Sequence, residues 1–512
     1  MGDSHPFHKL LATAAALSFS LSFIPSTLAS IGPTADLTLV NVDVSPDGFS
    51  RSAVTVNGIV PGPLIVANKV RRQFSLNVIN TLTDDTMLLS SSIHWRKARS
   101  LASTLFIVVI CLPDLYRRRI LSEEYQLGGR AGTFWYHSHL STQYCDGLRG
   151  VMVVYDPEDP HLSLYDVDDG KFLQSNITRT IITLSDWYHD PAHNLGNVPT
   201  LISTLINGLG RYAGGPTSQL AVISVTQNKR YRFRLASISC DPNFIFTIDG
   251  HNFTIIEADS VNVQPLNAGQ RYSFVLNANQ AVDNYWIRTV ANGGTAGSTT
   301  VSTRPSCGTL VADAVDPTTN ATTAAAALDE TNLHPLVSSP VPGRIPLAQR
   351  TVALNLVISL DFTTFTFQVN GAEFVPPTAP VLLQILSGAH TAAELLPNGS
   401  LTIPGGTPGA PHPFHLHGHN FWVVRSAGST TYNWDDPVIR DVVTTGSATT
   451  DNTTIRFVTD NAGPVARFPP EIGLAIVFAE DTDTIANSVH PSAWDTLCPT
   501  YDALTSAQLG GL

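Results

Sequence analysis

Charge is scarce in this chain of 512 residues: only 14% are Asp, Glu, Lys or Arg, and 29 Lys+Arg stand against 41 Asp+Glu. The formal net charge of −12 leaves no basic footprint, which excludes a nucleic-acid partner. Cysteine is equally sparse. Cys111, Cys145, Cys240, Cys307 and Cys498 are widely spread, so none forms a C-x-x-C metal or redox pair, and five residues permit at most two disulfides with one left over. Long apolar runs are missing from the body of the chain. Leu105–Leu112 is too short to span a bilayer, which leaves a buried strand or sequence foreign to the fold, and no membrane partner is expected.

The one extended apolar run is at the N-terminus. Lys9 gives a positive start, Leu10 to Ile24 an apolar stretch ended by Pro25, and Thr27-Leu28-Ala29 a small-residue cleavage site, so residues 1–29 read as a secretory leader. Five Asn-x-Ser/Thr acceptors, at Asn176, Asn252, Asn320, Asn398 and Asn452, fit the same extracellular destination.

After the leader the pattern is that of an all-β protein. Leu37-Thr38-Leu39 and Asn41-Val42-Asp43-Val44 alternate apolar with polar, Phe74–Val78 repeats the theme, and Pro46-Asp47-Gly48 and Pro61-Gly62-Pro63 punctuate the runs as turns. Further strands are expected at Thr180–Leu184, Tyr231–Leu235, Phe244–Ile248, Arg271–Leu276, Phe365–Val369, Thr454–Val458 and Leu474–Phe478, with one helix over Ala324–Leu333. Short strands between Gly/Pro turns predict antiparallel sandwiches. The length divides into three, with boundaries expected at 30–160, 161–330 and 331–512.

Histidine is concentrated where cysteine is not. His412-Pro413-Phe414-His415-Leu416-His417-Gly418-His419 holds four histidines in eight residues, and Phe414, Leu416 and the following Phe421–Val424 read as buried strand. Side chains at i and i+2 of a strand share a face roughly 6 to 7 Å apart, so His415 and His417 can address neighbouring metal ions. His137 and His139 repeat that spacing. His189, His193 and His251 stand outside any ligand spacing and read as polar surface or hydrogen-bonded core.

Ile93-His94-Trp95, the tract Ala131–Gly150, Leu205–Tyr212 and His412–His419 together resemble the fungal laccases of basidiomycete type, which are secreted multicopper oxidases. The resemblance covers nearly the whole chain. It implies three consecutive cupredoxin-like Greek-key β-sandwich domains, four coppers, small phenols or aromatic amines as electron donors, dioxygen as acceptor, a monomer, and a role in lignin degradation or phenol detoxification. It also implies ligands: His412 for a blue copper, His94 and His415 for the type 2 copper, and His137, His139 and His417 for the type 3 pair. His419 becomes a structural histidine. Asp241 falls where the family places the acid that takes the phenol proton. Cys145 and Cys240 match one family disulfide. Cys498 matches half of another, for which Cys111 is the only candidate partner.

The departures from that pattern fall on the chemistry. The first motif reads His94-Trp95-Arg96-Lys97 where the family has H-W-H-G, and arginine cannot shed its proton to bind copper. The family's last motif, H-C-H, belongs between Pro464 and Glu471, where Val465-Ala466-Arg467-Phe468-Pro469-Pro470 carries neither histidine nor cysteine. Fewer than four coppers are therefore expected for the chain as it stands. Both altered blocks have clean edges, as a misplaced splice boundary or local frame error leaves; gradual decay scatters its changes. Two readings stay open: a laccase, or a secreted cupredoxin-like protein that binds copper and does not turn over.

Overall fold

The computed structural model describes residues 30–69, 73–95, 121–126, 131–168, 180–195, 200–241, 243–261, 271–292, 301–306, 333–342, 356–363, 366–373, 384, 403–404, 413–446, 451–458, 464–468, 476–479 and 503. Cys111, Cys498, His412, Asn176, Asn320 and Asn398, the run Leu105–Leu112, and all of the expected helix except Leu333 lie outside them. Strands dominate what is described, joined by short 3-10 turns such as Gln143–Asp146 and Ala192–Asn194.

Two sheets face each other in the first part of the chain. One runs Arg51–Val56, Thr34–Val44, Gln73–Asn80, Leu121–Gln126; the other runs Gly62–Asn68, Arg149–Tyr155, Gly132–Ser138, Ile93–Trp95. Leu37, Leu39, Val54, Phe74, Leu76, Phe134, Tyr136, Met152 and Val154 fill the space between them. The pairing is mixed, which corrects the antiparallel expectation. Thr34–Val44 lies parallel to Gln73–Asn80, and Gly62–Asn68 parallel to Arg149–Tyr155. Crossing connections let strands that are distant in sequence become neighbours, and period-two alternation is the same for both pairings.

The second part has a six-stranded sheet, in which Arg230–Ser237 sits between Ile181–Trp187 and Arg271–Asn277, packed over a core that includes Phe233, Phe246 and Phe274. Its hairpin Ser203–Ile206/Leu209–Tyr212 turns on Asn207-Gly208, both at positive φ, as a tight hairpin requires. In the third part, Pro413–Leu416 pairs with Val442–Thr444 on one side and Pro464–Phe468 on the other, and Phe414, Leu416, Phe421 and Val443 form its core.

A further apolar cluster fuses the first two parts. Trp135, Tyr144, Val151 and Val153 meet Tyr188, Ile238 and the disulfide Cys145–Cys240, as the resemblance implied. The pleat of Gly132–Ser138 explains how one strand serves two neighbours: Phe134 and Tyr136 enter their own core, so Thr133, Trp135 and His137 face the other way.

Candidate metal centre

The strand that carries His137 pairs with the one that carries His94, and the register sets the two histidines opposite each other. The third part supplies its histidines by the same pleat. Phe414 and Leu416 point into the core, His415 lies between them on the other face, and His417 follows at the strand end before Gly418 turns at positive φ. All four are buried, and His139 is half-buried at the edge of the group.

Three of these imidazoles, His94, His415 and His417, have ring nitrogens that lie within 4.8 Å of one another. The His94 and His417 rings stack at 3.8 Å between centroids, while His94 meets His139 at 5.4 Å and His415 at 5.4 Å. His94 Nδ1 lies 3.1 Å from His137 Nε2. Two nitrogen lone pairs repel at that separation, so a shared proton or a cation belongs between them. Burial is the main force holding the His94 pKa well below that of an ordinary histidine, followed by the facing His417, His137, His415 and His139 rings. His94 is thus kept neutral, the state that binds metal.

Backbone carbonyls fix how the rings present themselves. His415 Nδ1 lies 2.7 Å from the Asp441 carbonyl oxygen, and His137 Nδ1 lies 2.7 Å from that of Ser138. A proton held on Nδ1 leaves Nε2 as the nitrogen that can ligate. His419 Nδ1 turns to the His417 carbonyl at 2.9 Å, and its ring packs near Phe457, in keeping with a structural role.

Multicopper oxidase family models match residues 38–159, 178–308 and 374–466. The chain belongs to the multicopper oxidase family. Laccase-1 of Pleurotus ostreatus is 51% identical to it with 99% of each chain covered, and Laccase-4 of Trametes villosa is 52% identical with 94% of this chain and 96% of that one covered. Among solved structures, a laccase from Botrytis aclada superposes with a TM-score of 0.70 at 26% identity, covering 93% of both chains. Copper is accordingly the cofactor of this multicopper oxidase.

The donor set fits copper bound by imidazole nitrogens: His94, His415 and His417 converge in a buried pocket, each presenting one nitrogen. It does not supply the soft sulfur of a blue site among the described residues, because Cys145 and Cys240 are joined to each other. Of the residues expected as ligands, the multicopper oxidase fold gathers His94, His137, His139, His415 and His417.

Asp241 stands apart from that cluster, half-buried just after the disulfide. Its amide donates to Asp186 Oδ2 at 3.0 Å, and its carboxyl is pushed up to about 7, first by burial and then by the Asp186 charge. Burial alone would raise the Asp186 pKa as well. The Arg149 guanidinium, 2.8 Å from its carboxylate, more than reverses this and keeps Asp186 anionic.

Sequence reasoning overlooked Arg149, Asp186, Arg271 and Asp441. The signal for the last was present: Val438-Ile439-Arg440-Asp441-Val442-Val443 places two charges inside an apolar run, and both are fully buried.

Proposed function

We propose that this multicopper oxidase is a laccase: a secreted enzyme that takes single electrons from phenols or aromatic amines and passes them to dioxygen, which is reduced to water. The observation that carries the reading is the buried convergence of His94, His415 and His417 from opposite ends of the chain. Copper bound there would supply one-electron redox chemistry. His94, kept neutral by burial, would hold the metal together with His415 and His417, and burial would keep competing water away. Asp241, poised near neutrality, accepts the phenol hydroxyl proton as the electron departs. Identity of about half over nearly the full length of named laccases favours the enzyme over a protein that binds copper without turnover.

His94 and His415 are assigned to the type 2 copper, His137, His139 and His417 to the type 3 pair, and His412 to the blue copper. Export by the 1–29 leader, glycosylation at the exposed Asn252 and at Asn452, and action on lignin-derived or other toxic phenols belong to the same reading. Oxygen uptake with a phenol, measured on protein made from the gene's own transcript, tests it. Uptake that is abolished by His417→Ala is the expected result; bound copper with no uptake would identify the binding-only alternative.

A further inference from the structure

A single side chain from the second part of the chain joins the strand that carries His137 to the residue that holds the His415 ring. The Arg271 guanidinium grips Asp441 with a fork, Nη1 to Oδ1 at 2.7 Å and Nη2 to Oδ2 at 2.8 Å, while its Nε donates to the Thr133 carbonyl at 3.1 Å. Asp441 is the residue whose main-chain oxygen accepts from His415 Nδ1 at 2.7 Å and from the Leu416 amide at 3.1 Å. Thr133 lies four residues before His137 on the same strand. Arg271, Asp441 and Thr133 are all fully buried.

Side chains of the second part bond the Thr133 main chain on both sides: Glu257 Oε1 accepts from its amide at 3.1 Å, and Arg271 donates to its carbonyl. The approach is close enough that a Cβ on Gly132 would lie 2.4 Å from the Ser260 Cβ.

Charge is balanced across the junction. Arg271 also lies 3.4 Å from Asp259, whose other oxygen accepts from Arg440 Nε at 3.2 Å and from the Val442 amide at 3.3 Å, and Arg440 reaches the Tyr272 hydroxyl at 2.8 Å. Two guanidinium groups and two carboxylates therefore alternate in a buried lattice that touches all three parts of the chain.

We infer that Arg271 is a positioning residue for the copper site: it sets the separation and orientation of His415 relative to the strand of His137. The inference rests on His415 being a copper ligand. Lysine at this position keeps the charge but cannot make a planar fork and a third bond together.

The test compares Arg271→Lys with Arg288→Lys. Arg288 makes the same kind of two-pronged contact with Asp249, within the second part. Copper affinity is measured by equilibrium dialysis against copper alone, the Cu(II) electron paramagnetic resonance spectrum is recorded, and amide exchange at Leu416 is followed in the metal-free protein. Arg271→Lys is expected to weaken copper retention about 10- to 100-fold, to alter the spectrum and to speed Leu416 exchange. Arg288→Lys is expected to lower the melting temperature and leave all three unchanged. Should Arg271→Lys not fold, Asp441→Asn, which keeps the main-chain carbonyl and the side-chain volume, is expected to show the same losses. Unchanged affinity, spectrum and exchange in the Arg271 variant, or equal losses in the Arg288 variant, would overturn the inference. A wild-type chain that binds no copper would count against the laccase reading, and Leu416 exchange would still decide the positioning role.

Discussion

His94 and His417 stack almost parallel, with centroids 3.8 Å apart and planes 9° from each other, although one belongs to the first part of the chain and the other to the third. The His94 ring cannot ionise cheaply. The pKa of His94 lies well below 6.5, chiefly through burial and then through the neighbouring rings. A histidine whose folded pKa is depressed contributes stability above its unfolded pKa and loses it as pH falls. The metal-free protein should therefore melt at progressively lower temperature below about pH 6.5, and His94→Gln should flatten that dependence. Bound copper competes with protons for the same lone pairs, so the loaded protein should hold its melting temperature to lower pH. Thermal denaturation across pH, with and without copper, checks both statements.

Asp241 carries the opposite sign. Its carboxyl titrates near 7 when folded against 3.8 as a free group, so ionising it opposes folding, and stability is lost as pH rises between those values. Asp241→Asn should be nearly neutral for stability below about pH 4 and stabilising by about 1 to 3 kcal/mol above pH 7, once the part-exposed position is discounted. The same variant should raise KM for a phenol about tenfold and remove the ionisation near 7 from the pH–rate profile. Denaturant melts and steady-state kinetics separate the two effects.

The disulfide Cys145–Cys240 closes a loop with a sequence separation of 95 inside the cluster that joins the first two parts. Breaking it with Cys240→Ser should cost about 4 kcal/mol, mostly by freeing the unfolded chain. Because the Cys240 and Asp241 amides both donate to Asp186, the pH profile attributed to Asp241 should shift in the same variant. Chemical denaturation together with the pH–rate profile reads out both consequences.

Much of the site could be read before any coordinates, because strand alternation is a local code. Phe134 and Tyr136 mark one face and thereby send His137 to the other; Phe414 and Leu416 do the same for His415. The clustering of five histidines follows from the family motifs that contain them. Arg271 and Asp441 were not legible as partners. The apolar run around Asp441 marks it as buried but does not name its partner, and only the packing of distant strands brings the two to 2.7 Å. The parallel pairs were hidden for a related reason, since alternation records which face is buried and not which way the neighbouring strand runs.

The strand Pro464–Phe468 bears on the missing ligands. It lies directly beside the histidine strand, with Phe468 opposite His415 and Arg467 opposite Leu416, so this block runs next to the metal-bearing strand while its sequence offers no copper ligand. Family resemblance puts an H-C-H motif there and a second histidine at position 96. The unaltered sequence at both edges of each block points to an error in reading the gene. Sequencing the transcript across residues 96–130 and 464–472 should therefore reveal H-W-H-G and H-C-H. Protein made from that transcript should be blue and carry four coppers, as the family resemblance implies, and the chain with both blocks as they stand should be colourless and carry fewer. A transcript that encodes Arg96 and lacks the cysteine would sink this account, and optical absorption with copper analysis on the two proteins would then measure what the altered strand costs the centre.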